Sequence, residues 1–419
     1  MRNILVGAIA LGSMICTSCS EEGGGNQRKD IPVSRTEAEI VALNNEFSQK
    51  VVSALRSGAE GLNGNFVMSP LSLSMDMSML AAGTGGESQA EILRAMGYEA
   101  ENAAEVNALN RKLMSELPKA DRKTTVSLAN CMWYSQAHGS TVKDSYKEVL
   151  STYYSAPLTG VADLGGEEGR TAINKWAKQS TSGMIPEFLS VPLGANTVMA
   201  LTNATYFKGE WAKKFDKQNT TKEVFHNEDG TFARVNMMKN SDLNIQAYYD
   251  GEAGYSLALL DYGNKAYCMA IILPDKGKSA AEIYSSMNMS DLQEYMMTPS
   301  LLKTHLNFAM PRFELESFIG FIPALKALGV HSIFTEGGDY SGMFAHDISG
   351  FYIDRILQGT KLVVNEEGTE AASSTVISNG LTSPGPVQTK NFIVDRPFAF
   401  AIGERSTGAI LFNGVIEQL

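Results

Sequence analysis

The segment Val364-Asn365-Glu366-Glu367-Gly368-Thr369-Glu370-Ala371-Ala372-Ser373-Ser374-Thr375-Val376 is the most informative stretch of this 419-residue chain. It begins with two apolar residues that are typical of a strand and continues mainly with small residues. Residues 366–383 contain no proline. Every backbone N–H in this range is therefore available to a sheet ladder. The pattern predicts a spare strand that the protein keeps in a loop.

The side chains of this segment form two rows if it becomes a strand, because alternate residues face opposite sides of a sheet. One row contains Thr369, Ala371, Ser373, Thr375 and Ile377, and the other contains Glu370, Ala372, Ser374, Val376 and Ser378. The first row is uncharged and mostly small, so we expect it to fit beneath a sheet. Before insertion, Thr369 is expected to lie at the base of the loop, within reach of solvent. A surface loop without a special role is the simpler alternative.

Five short motifs are spread along the chain. They are residues 65–72 (NFVMSPLS), 201–211 (LTNATYFKGEW), 310–313 (MPRF), 366–372 (EEGTEAA) and 396–400 (RPFAF). Each resembles a motif of the serpins, the serine protease inhibitor family, and EEGTEAA resembles the hinge of their reactive-centre loop. The motifs occur in the order and spacing of the family, from about residue 35 to the C-terminus. Five motifs in order are a specific signal.

The resemblance implies an α+β fold: a single domain with helices, three β-sheets and an exposed reactive-centre loop near the C-terminus. It also implies an irreversible suicide-substrate inhibitor of serine endopeptidases, with cysteine endopeptidases as a second target class. In that mechanism the cleaved loop inserts into the central sheet while the protease is still bound as an acyl-enzyme. The alternative is a non-inhibitory member of the same fold that binds a partner at the cell surface. The small hinge residues favour the inhibitor.

The same resemblance assigns roles to individual residues. The hinge comprises Glu366, Gly368, Thr369, Glu370, Ala371 and Ala372. The shutter, over which the central sheet parts, comprises Asn65, Ser69, Ser72, Asn203 and Gln358, and the breach, where the loop first enters, has Trp211. Gln358 stands where many family members have histidine, and an amide cannot titrate. Helix capping by the serines and core packing by Trp211 remain the simpler interpretations.

The family's usual count from Glu366 places the reactive bond at Thr382–Ser383. Counting back from Pro397 leads instead to Pro386, because the downstream part of the loop is longer than usual. Proline before the cleaved bond suits few serine proteases, so we favour Thr382, whose small side chain fits an elastase-like pocket. The remaining alternatives are Leu381 for a chymotrypsin-like enzyme and Lys390 for a trypsin-like enzyme.

The N-terminus resembles a bacterial lipoprotein signal. Arg2 precedes a short apolar stretch at residues 4–15, which is too short to span a membrane. Cys19 would be the lipidated first residue of the mature chain, although Cys16 departs from the usual pattern. We therefore expect a signal peptide at residues 1–18, a flexible tether at 19–34 and the domain at 35–419. Export to the outer membrane, facing the cell surface, is favoured over a periplasmic or secreted protein without lipid.

Composition limits the other function classes. A formal net charge of −11 and a pI near 5.1 argue against nucleic acid as a partner. The five histidines are scattered without metal-ligand spacing, and no catalytic or cofactor-binding motif is found. We therefore expect no enzyme activity, no metal and no cofactor, and a monomer. Cys131 and Cys268 lie in buried-strand contexts, which leaves open whether they pair.

Periodicity predicts the main secondary structure elements. The expected helices are residues 36–56, 70–80 (capped by Ser69), 107–117 and 170–188. The expected strands are residues 197–207, 266–273, 305–313 and 392–402, followed by a hairpin that ends in residues 409–416.

Overall fold

The computed structural model describes residues 26–57, 62–136, 142–298, 303–346, 350–369 and 389–419. The α-helices in these ranges are α1 (Arg35–Ser57), α2 (Pro70–Gly83), α3 (Gly86–Met96), α4 (Ala103–Ala120), α5 (Asp144–Tyr154), α6 (Glu167–Ser180), α7 (Ala280–Ser286), α8 (Met289–Met297) and α9 (Ile322–Ala327). The strands are β1 (Phe66–Met68), β2 (Thr124–Ser135), β3 (Leu158–Val161), β4 (Met199–Glu210), β5 (Thr221–His226), β6 (Phe232–Asp250), β7 (Tyr255–Asp261), β8 (Tyr267–Pro274), β9 (Lys303–Pro311), β10 (Phe313–Gly320), β11 (Arg355–Asn365), β12 (Gly368–Thr369), β13 (Lys390–Ile393), β14 (Phe398–Glu404) and β15 (Ile410–Ile416).

The expected α+β architecture is confirmed, and the described strands form two hydrogen-bonded sheets. A six-stranded sheet has the order β10-β11-β12-β4-β2-β3. A nine-stranded sheet has the order β1-β15-β14-β8-β7-β6-β9-β13, with β5 attached to β6. Strand β6 is 19 residues long and pairs in turn with β5, β9 and β7. This long strand joins two of the three expected sheets into one.

Of the predicted elements, one helix ends early and one strand is divided into two. The helix predicted at residues 170–188 is α6, which stops at Ser180, before Gly183 with a φ of +87° and Pro186. A left-handed glycine followed by proline is a common end of a helix. The strand predicted at residues 392–402 is divided into β13 and β14, because Pro397 has no N–H to donate to a ladder. The two pieces consequently pair with different strands.

Helix α2 is the central helix of the domain. Its sequence, PLSLSMDMSMLAAG, is apolar around most of its circumference, and 13 of its 14 residues are buried. A helix of this kind is expected in the interior of a protein. It lies beneath the six-stranded sheet, in contact with β2 and β4, and also packs against β15 of the other sheet. The start of α2 is thereby held under the middle of the six-stranded sheet.

The segment before α1 is packed on the domain over its described part, so the prediction of a flexible tether at residues 19–34 is wrong from Asn26 onward. The Asn26 side chain hydrogen bonds to Asp121, and the N–H of Ile31 donates to the Ser406 hydroxyl at 2.8 Å. The Ile31 side chain is buried in the main hydrophobic core. Burial of an isoleucine of this kind stabilises the packed segment by about 1.5–3 kcal/mol.

The two cysteines of the described domain are free and buried, and they lie in different sheets. Burial raises the pKa of the Cys131 thiol to about 12 and that of Cys268 to about 11. Both therefore behave as small apolar side chains. None of the helices in the described ranges is both long and apolar enough to cross a membrane.

Candidate functional site

Strand β12 enters the six-stranded sheet from one end, between β4 and β11. Gly368–Thr369 is antiparallel to both neighbours and pairs with residues 209–210 of β4 and 364–365 of β11. Farther along, residues 355–361 of β11 pair directly and in parallel with residues 200–206 of β4. Gly368–Thr369 therefore lies between two strands that pair directly with each other farther along the sheet. A Cβ at Gly368 would lie 2.0 Å from the carbonyl oxygen of Gly209, so glycine is required here.

Glu366 fixes the turn between β11 and β12 to the neighbouring sheet. Its buried carboxylate accepts hydrogen bonds from Arg312 Nε at 2.7 Å and from the Thr220 hydroxyl at 2.6 Å. Burial alone would raise the pKa of Glu366, but these bonds outweigh it and hold the pKa below the usual value. Arg312 belongs to the MPRF motif, so two motifs of the sequence meet in one ion pair.

Glu367 and Trp211 complete the fastening of the turn. Glu367 is paired with Lys214 and Lys217, each at 3.0 Å, and these bonds keep its pKa low despite burial. Trp211 donates from Nε1 to the Asn365 carbonyl at 2.8 Å and stacks on Tyr262 with 4.4 Å between ring centroids. Trp211 therefore lies against the turn between β11 and β12, and its ring is also part of the hydrophobic core.

Thr369 is buried, so the expectation that it lies within reach of solvent is wrong. Its hydroxyl is 2.6 Å from the Tyr262 hydroxyl, and its exposed fraction is 0%. The side chain already faces the interior beneath the sheet, as the row assignment for an inserted strand predicts. An alternating pattern identifies the face of a residue, but it does not show whether the residue has already entered the sheet.

A polar group lies between the middle of the six-stranded sheet and the start of α2. This shutter group consists of Ser69, Ser72, Asn130, Asn203 and Gln358, all of them buried. Gln358 of β11, Asn203 of β4 and Asn130 of β2 stand directly opposite one another in the sheet. Gln358 Nε2 donates to Asn203 Oδ1 at 3.0 Å, across the directly paired strands β11 and β4. Asn203 Nδ2 donates to the Ser72 hydroxyl and to Asn130 Oδ1.

Gln358 also holds the beginning of α2. Its Oε1 accepts from the backbone N–H of Ser69 at 2.7 Å, and its Nε2 donates to the Ser69 carbonyl at 3.0 Å. Ser69 is the N-cap residue, but its side chain makes no capping hydrogen bond, so the prediction of a side-chain cap is wrong. The amide of Gln358 binds the N–H and the carbonyl of the N-cap residue itself. A capping hydroxyl would instead accept from N–H groups of the first helical turn.

Asn65 lies outside the shutter group, contrary to the role that the resemblance assigned to it. Its Oδ1 accepts from the backbone N–H groups of Glu417 and Gln418, at 2.7 and 3.0 Å. Its Nδ2 donates to the Gln418 carbonyl at 2.6 Å. Asn65 therefore anchors the C-terminal residues to the strand that precedes α2.

Sequence reasoning missed two parts of this site. Asn130 was overlooked, although a polar residue beside Cys131 in a mostly apolar strand is a signal that could have identified it. Thr205 and Thr360 were also missed; their hydroxyls lie 3.1 Å apart across β4 and β11, two residues from the Asn203–Gln358 pair. The direct β4–β11 contact is therefore polar at two successive inward positions.

The remaining predicted site residues lie elsewhere. Cys19, Glu370, Ala371, Ala372, Leu381, Thr382, Ser383 and Pro386 are outside the described residues. Lys390 is the first residue of β13, paired with Leu306, and its ammonium lies over the Tyr249 ring at 4.7 Å. This placement argues against Lys390 as the cleavage position. In the described ranges, no group of three or more histidine, cysteine, aspartate or glutamate side chains is arranged to hold a metal ion.

Replacing Glu366 by glutamine is expected to destabilise the protein at pH 7 by about 1–2 kcal/mol. Charge-assisted hydrogen bonds contribute about 1.5–3 kcal/mol, and partial exposure of Arg312 reduces this value. Because the folded-state pKa of Glu366 is lowered, its contribution is complete above the unfolded pKa of about 4.3 and is lost as the pH falls through the folded pKa. Melting curves of both proteins between pH 3 and pH 7 should therefore converge in acid.

The control for this prediction is Glu314→Gln. Glu314 pairs with Lys361 at 2.9 Å, but its side chain is 58% exposed. Surface ion pairs contribute about 0–1 kcal/mol, so this change should have little effect. Equal effects of the two substitutions at pH 7 would show that the Glu366 pair is no stronger than a surface contact.

The comparison with known proteins agrees with this arrangement. Residues 42–419 match the family model described as "Serpin (serine protease inhibitor)". Iripin-3 of Ixodes ricinus is 31% identical over 385 residues, which cover 91% of this chain and 95% of the relative. The leukocyte elastase inhibitor of Sus scrofa is 29% identical over 389 residues, covering 91% of this chain and 99% of the relative.

A solved structure has the same fold. The thermophilic serpin tengpin in its native state superimposes with a TM-score of 0.81 at 24% identity, covering 94% of this chain and 97% of that one. The family model spans nearly the whole domain, including the hinge turn, the shutter group and the strands that separate them. The chain therefore belongs to the serpin family of serine protease inhibitors.

Proposed function

We propose that this serpin is an irreversible suicide-substrate inhibitor of serine endopeptidases, with cysteine endopeptidases as a second target class. The observation that carries the proposal is the position of Gly368–Thr369, antiparallel to both β4 and β11 at the end where these strands separate. A chain that continues from Thr369 in the same direction would become a new central strand. The first two residues of that strand are already paired.

Continuing the β12 pairing predicts chemically matched neighbours for the inward row of the loop. Each further pair of loop residues moves the contact two residues back along β4 and β11. Apolar loop residues then meet apolar neighbours, and hydroxyl residues meet polar ones. From the hinge downward, Ala371 comes between Leu362 and Phe207, Ser373 between Thr360 and Thr205, Thr375 between Gln358 and Asn203, and Ile377 between Ile356 and Leu201.

This match explains how polar side chains between β4 and β11 are compatible with insertion. Parting the strands breaks the Gln358–Asn203 hydrogen bond and the Thr360–Thr205 contact. Leaving such groups buried without partners would cost about 1–3 kcal/mol each. Hydroxyl groups of the incoming strand at the same two levels can replace the lost partners, since a hydroxyl both donates and accepts.

The backbone provides the driving force. Insertion breaks the direct parallel ladder of seven residue pairs and replaces it by two antiparallel ladders. A net gain of roughly ten hydrogen bonds at about 0.5–1.5 kcal/mol each is on the order of 10 kcal/mol. That equals the total stability of many domains, about 5–15 kcal/mol. It is enough to displace a covalently bound protease and distort its active site.

The chemistry requires only the protease's own nucleophile. The protease hydroxyl or thiol attacks the carbonyl carbon of Thr382, the bond to Ser383 breaks, and the new amine of Ser383 takes a proton. The N-terminal part of the inhibitor remains bound as an acyl-enzyme, which water would normally hydrolyse. Insertion competes with that hydrolysis. An elastase-like target is supported by the small Thr382 side chain and by the likeness to a leukocyte elastase inhibitor.

The proposed setting follows from the N-terminal sequence. Cys19 would carry lipid after removal of residues 1–18 and would anchor the monomeric domain to an outer membrane, at the cell surface. The alternative location is the periplasm or the medium, without lipid. The alternative function, a non-inhibitory binding protein with this fold, is disfavoured by the hinge, whose residues from Gly368 to Ala372 include one charged side chain on the outward row.

Incubation with an elastase-like serine protease is expected to give a covalent adduct that survives denaturation, together with a C-terminal fragment that begins at Ser383. Strands β14 and β15 are fully buried, so the fragment should separate only under denaturing conditions. Mass spectrometry identifies its first residue. A fragment beginning elsewhere would move the reactive bond, whereas complete cleavage without an adduct would favour the non-inhibitory alternative.

Cleavage within the loop is expected to raise the melting temperature by about ten degrees or more. Insertion adds stability on the order of 10 kcal/mol. In a large domain each added kcal/mol raises the melting temperature by about a few degrees or less. The comparison is between intact protein and protein nicked between residues 378 and 388 by any protease that does not form an adduct. Protein nicked in residues 137–141 serves as the control and should not gain stability. A lower melting temperature after loop cleavage contradicts insertion.

Ala371→Arg is expected to convert the inhibitor into a substrate that is cleaved completely and releases active protease. Thr369 is unsuitable for this test because it is already buried, but Ala371 enters later, between Leu362 and Phe207, both buried. Burying an unpaired guanidinium there costs several kcal/mol and slows insertion until hydrolysis of the acyl-enzyme dominates. The measurement is the number of inhibitor molecules consumed per protease molecule trapped.

The matched control for Ala371→Arg is Glu370→Arg. In the same register Glu370 faces outward, between Val363 and Lys208, which are both half-buried. An arginine at this position keeps contact with water, so trapping should be affected much less. If both variants trap protease as efficiently as the wild type, the loop does not enter in the register set by β12.

A further inference from the structure

Asp76 is the single charged residue of helix α2. It follows Ser72 of the shutter group by one helical turn, so both side chains lie on the face that is turned toward the sheet. Its exposed fraction is 1%. Its Oδ1 has no hydrogen-bond partner in the described structure. The amide of Asn203, in the shutter group, is the polar side chain that lowers the cost of its charge. A carboxyl group is therefore buried, incompletely bonded, beneath the strands that must part.

No cation faces this carboxyl group within the described residues. Helix α2 packs against α1, α3, α4, α5, β2, β4 and β15. The buried titratable groups on those elements are Glu37, Cys131, Tyr146, Tyr154 and Tyr206. Glu37 is paired with Lys112. Cys131 can carry only a negative charge, and a negative charge on Asp76 would repel it. Every lysine and arginine on the same elements is partly or fully exposed.

An ionised carboxylate is costly in this environment. Removing a charge from water without a partner is among the most unfavourable changes in a protein interior, and the group responds by remaining protonated. Burial raises the pKa of Asp76 well above its usual range, and the hydrogen bond from Asn203 opposes this effect without reversing it. Lowering the cost of the charge requires water, which can reach Asp76 when β4 moves away from β11.

We infer that Asp76 is a proton-controlled latch of the six-stranded sheet: its neutral form favours the closed arrangement of β4 and β11, and its ionised form favours their separation. The latch is built from α2 and the shutter group, independently of the identity of any protease. The inference rests on the proposed function, because the latch controls the same separation of β4 and β11 that loop insertion requires. Gln358 cannot titrate, so within the shutter group and its immediate contacts Asp76 is the carboxyl group that responds to pH.

The sign of the effect follows from linkage. The closed state binds the Asp76 proton more tightly than the open or unfolded state, in which the pKa is nearer to about 3.9. The stability of the closed state relative to the open state is therefore highest in acid. It falls as the pH rises above about 4 and levels off once the pH exceeds the raised pKa of Asp76 in the closed state. Within that window the open population can increase up to tenfold for each pH unit.

The test compares the intact wild type with Asp76→Asn, without protease. Asparagine has the size of aspartate and can keep the contact with Asn203, but it has no charge. The first measurement is the rate at which a fluorescent synthetic peptide with the sequence of residues 369–378 enters the sheet, between pH 5 and pH 8.5. The wild-type rate is expected to rise with pH relative to the variant, and the variant should keep the slow rate of the acidic wild type. Melting temperatures should diverge in the same sense.

Parallel pH profiles of the two proteins would overturn the inference. If Asp76→Asn does not fold, Asp76→Ala replaces it, because alanine also removes the charge. The smaller side chain lowers stability by the same amount at every pH, so it does not change the shape of the pH profile. If neither variant folds, the infrared spectrum of the wild type at pH 7 decides. A carboxylic acid band that is present in the native protein and disappears on unfolding supports the latch, and its absence from the native protein rejects it. None of these results depends on whether a protease is trapped.

Discussion

The direct parallel pairing of β4 and β11 is the contact on which the rest of the architecture depends. Residues 200–206 and 355–361 are neighbours in the sheet although they are far apart in the chain. Two parallel strands can accept between them a strand that is antiparallel to both, and each new residue then bonds on two sides instead of one. The sheet is thus closed, but at its centre it is held by fewer hydrogen bonds than the chain is able to form.

The elements around this contact hold the hinge in place and keep the strands together. Ion pairs from Arg312, Lys214 and Lys217 fasten the turn that leads into β12, while Trp211 closes one side of the entry point. Farther down, the shutter group joins three strands to the start of α2. The hinge turn can therefore remain fixed while the strands below it separate, which is what a chain that enters from one end requires.

The fold class and several site residues were predictable from the sequence because the motifs are local. The strand alternation assigned Thr369 to the inward row, and its side chain is buried. The resemblance grouped Ser72, Asn203 and Gln358, and these side chains lie in hydrogen-bonding contact. Burial of Thr369 was not predictable, since it depends on Tyr262, more than a hundred residues away. The same limitation applies to Asn65, which binds Glu417 and Gln418 at the other end of the chain. The side-chain cap at Ser69 was predicted from a local pattern, which cannot reveal that Gln358, far along the chain, binds the backbone of Ser69.

The packed N-terminal segment has a geometric consequence. Asn26 is bonded to Asp121, just before β2, at the end of the sheet where Thr124 and Thr369 both lie opposite Gly209. Cys19 lies seven positions before Asn26, and a fully extended chain spans about 25 Å over that distance. If Cys19 carries lipid, the linker between Cys19 and Asn26 is too short for the domain to reorient freely. The hinge end of the sheet then stays close to the bilayer. Insertion would then carry a captured protease toward the opposite pole, out of the headgroup layer and into open solvent.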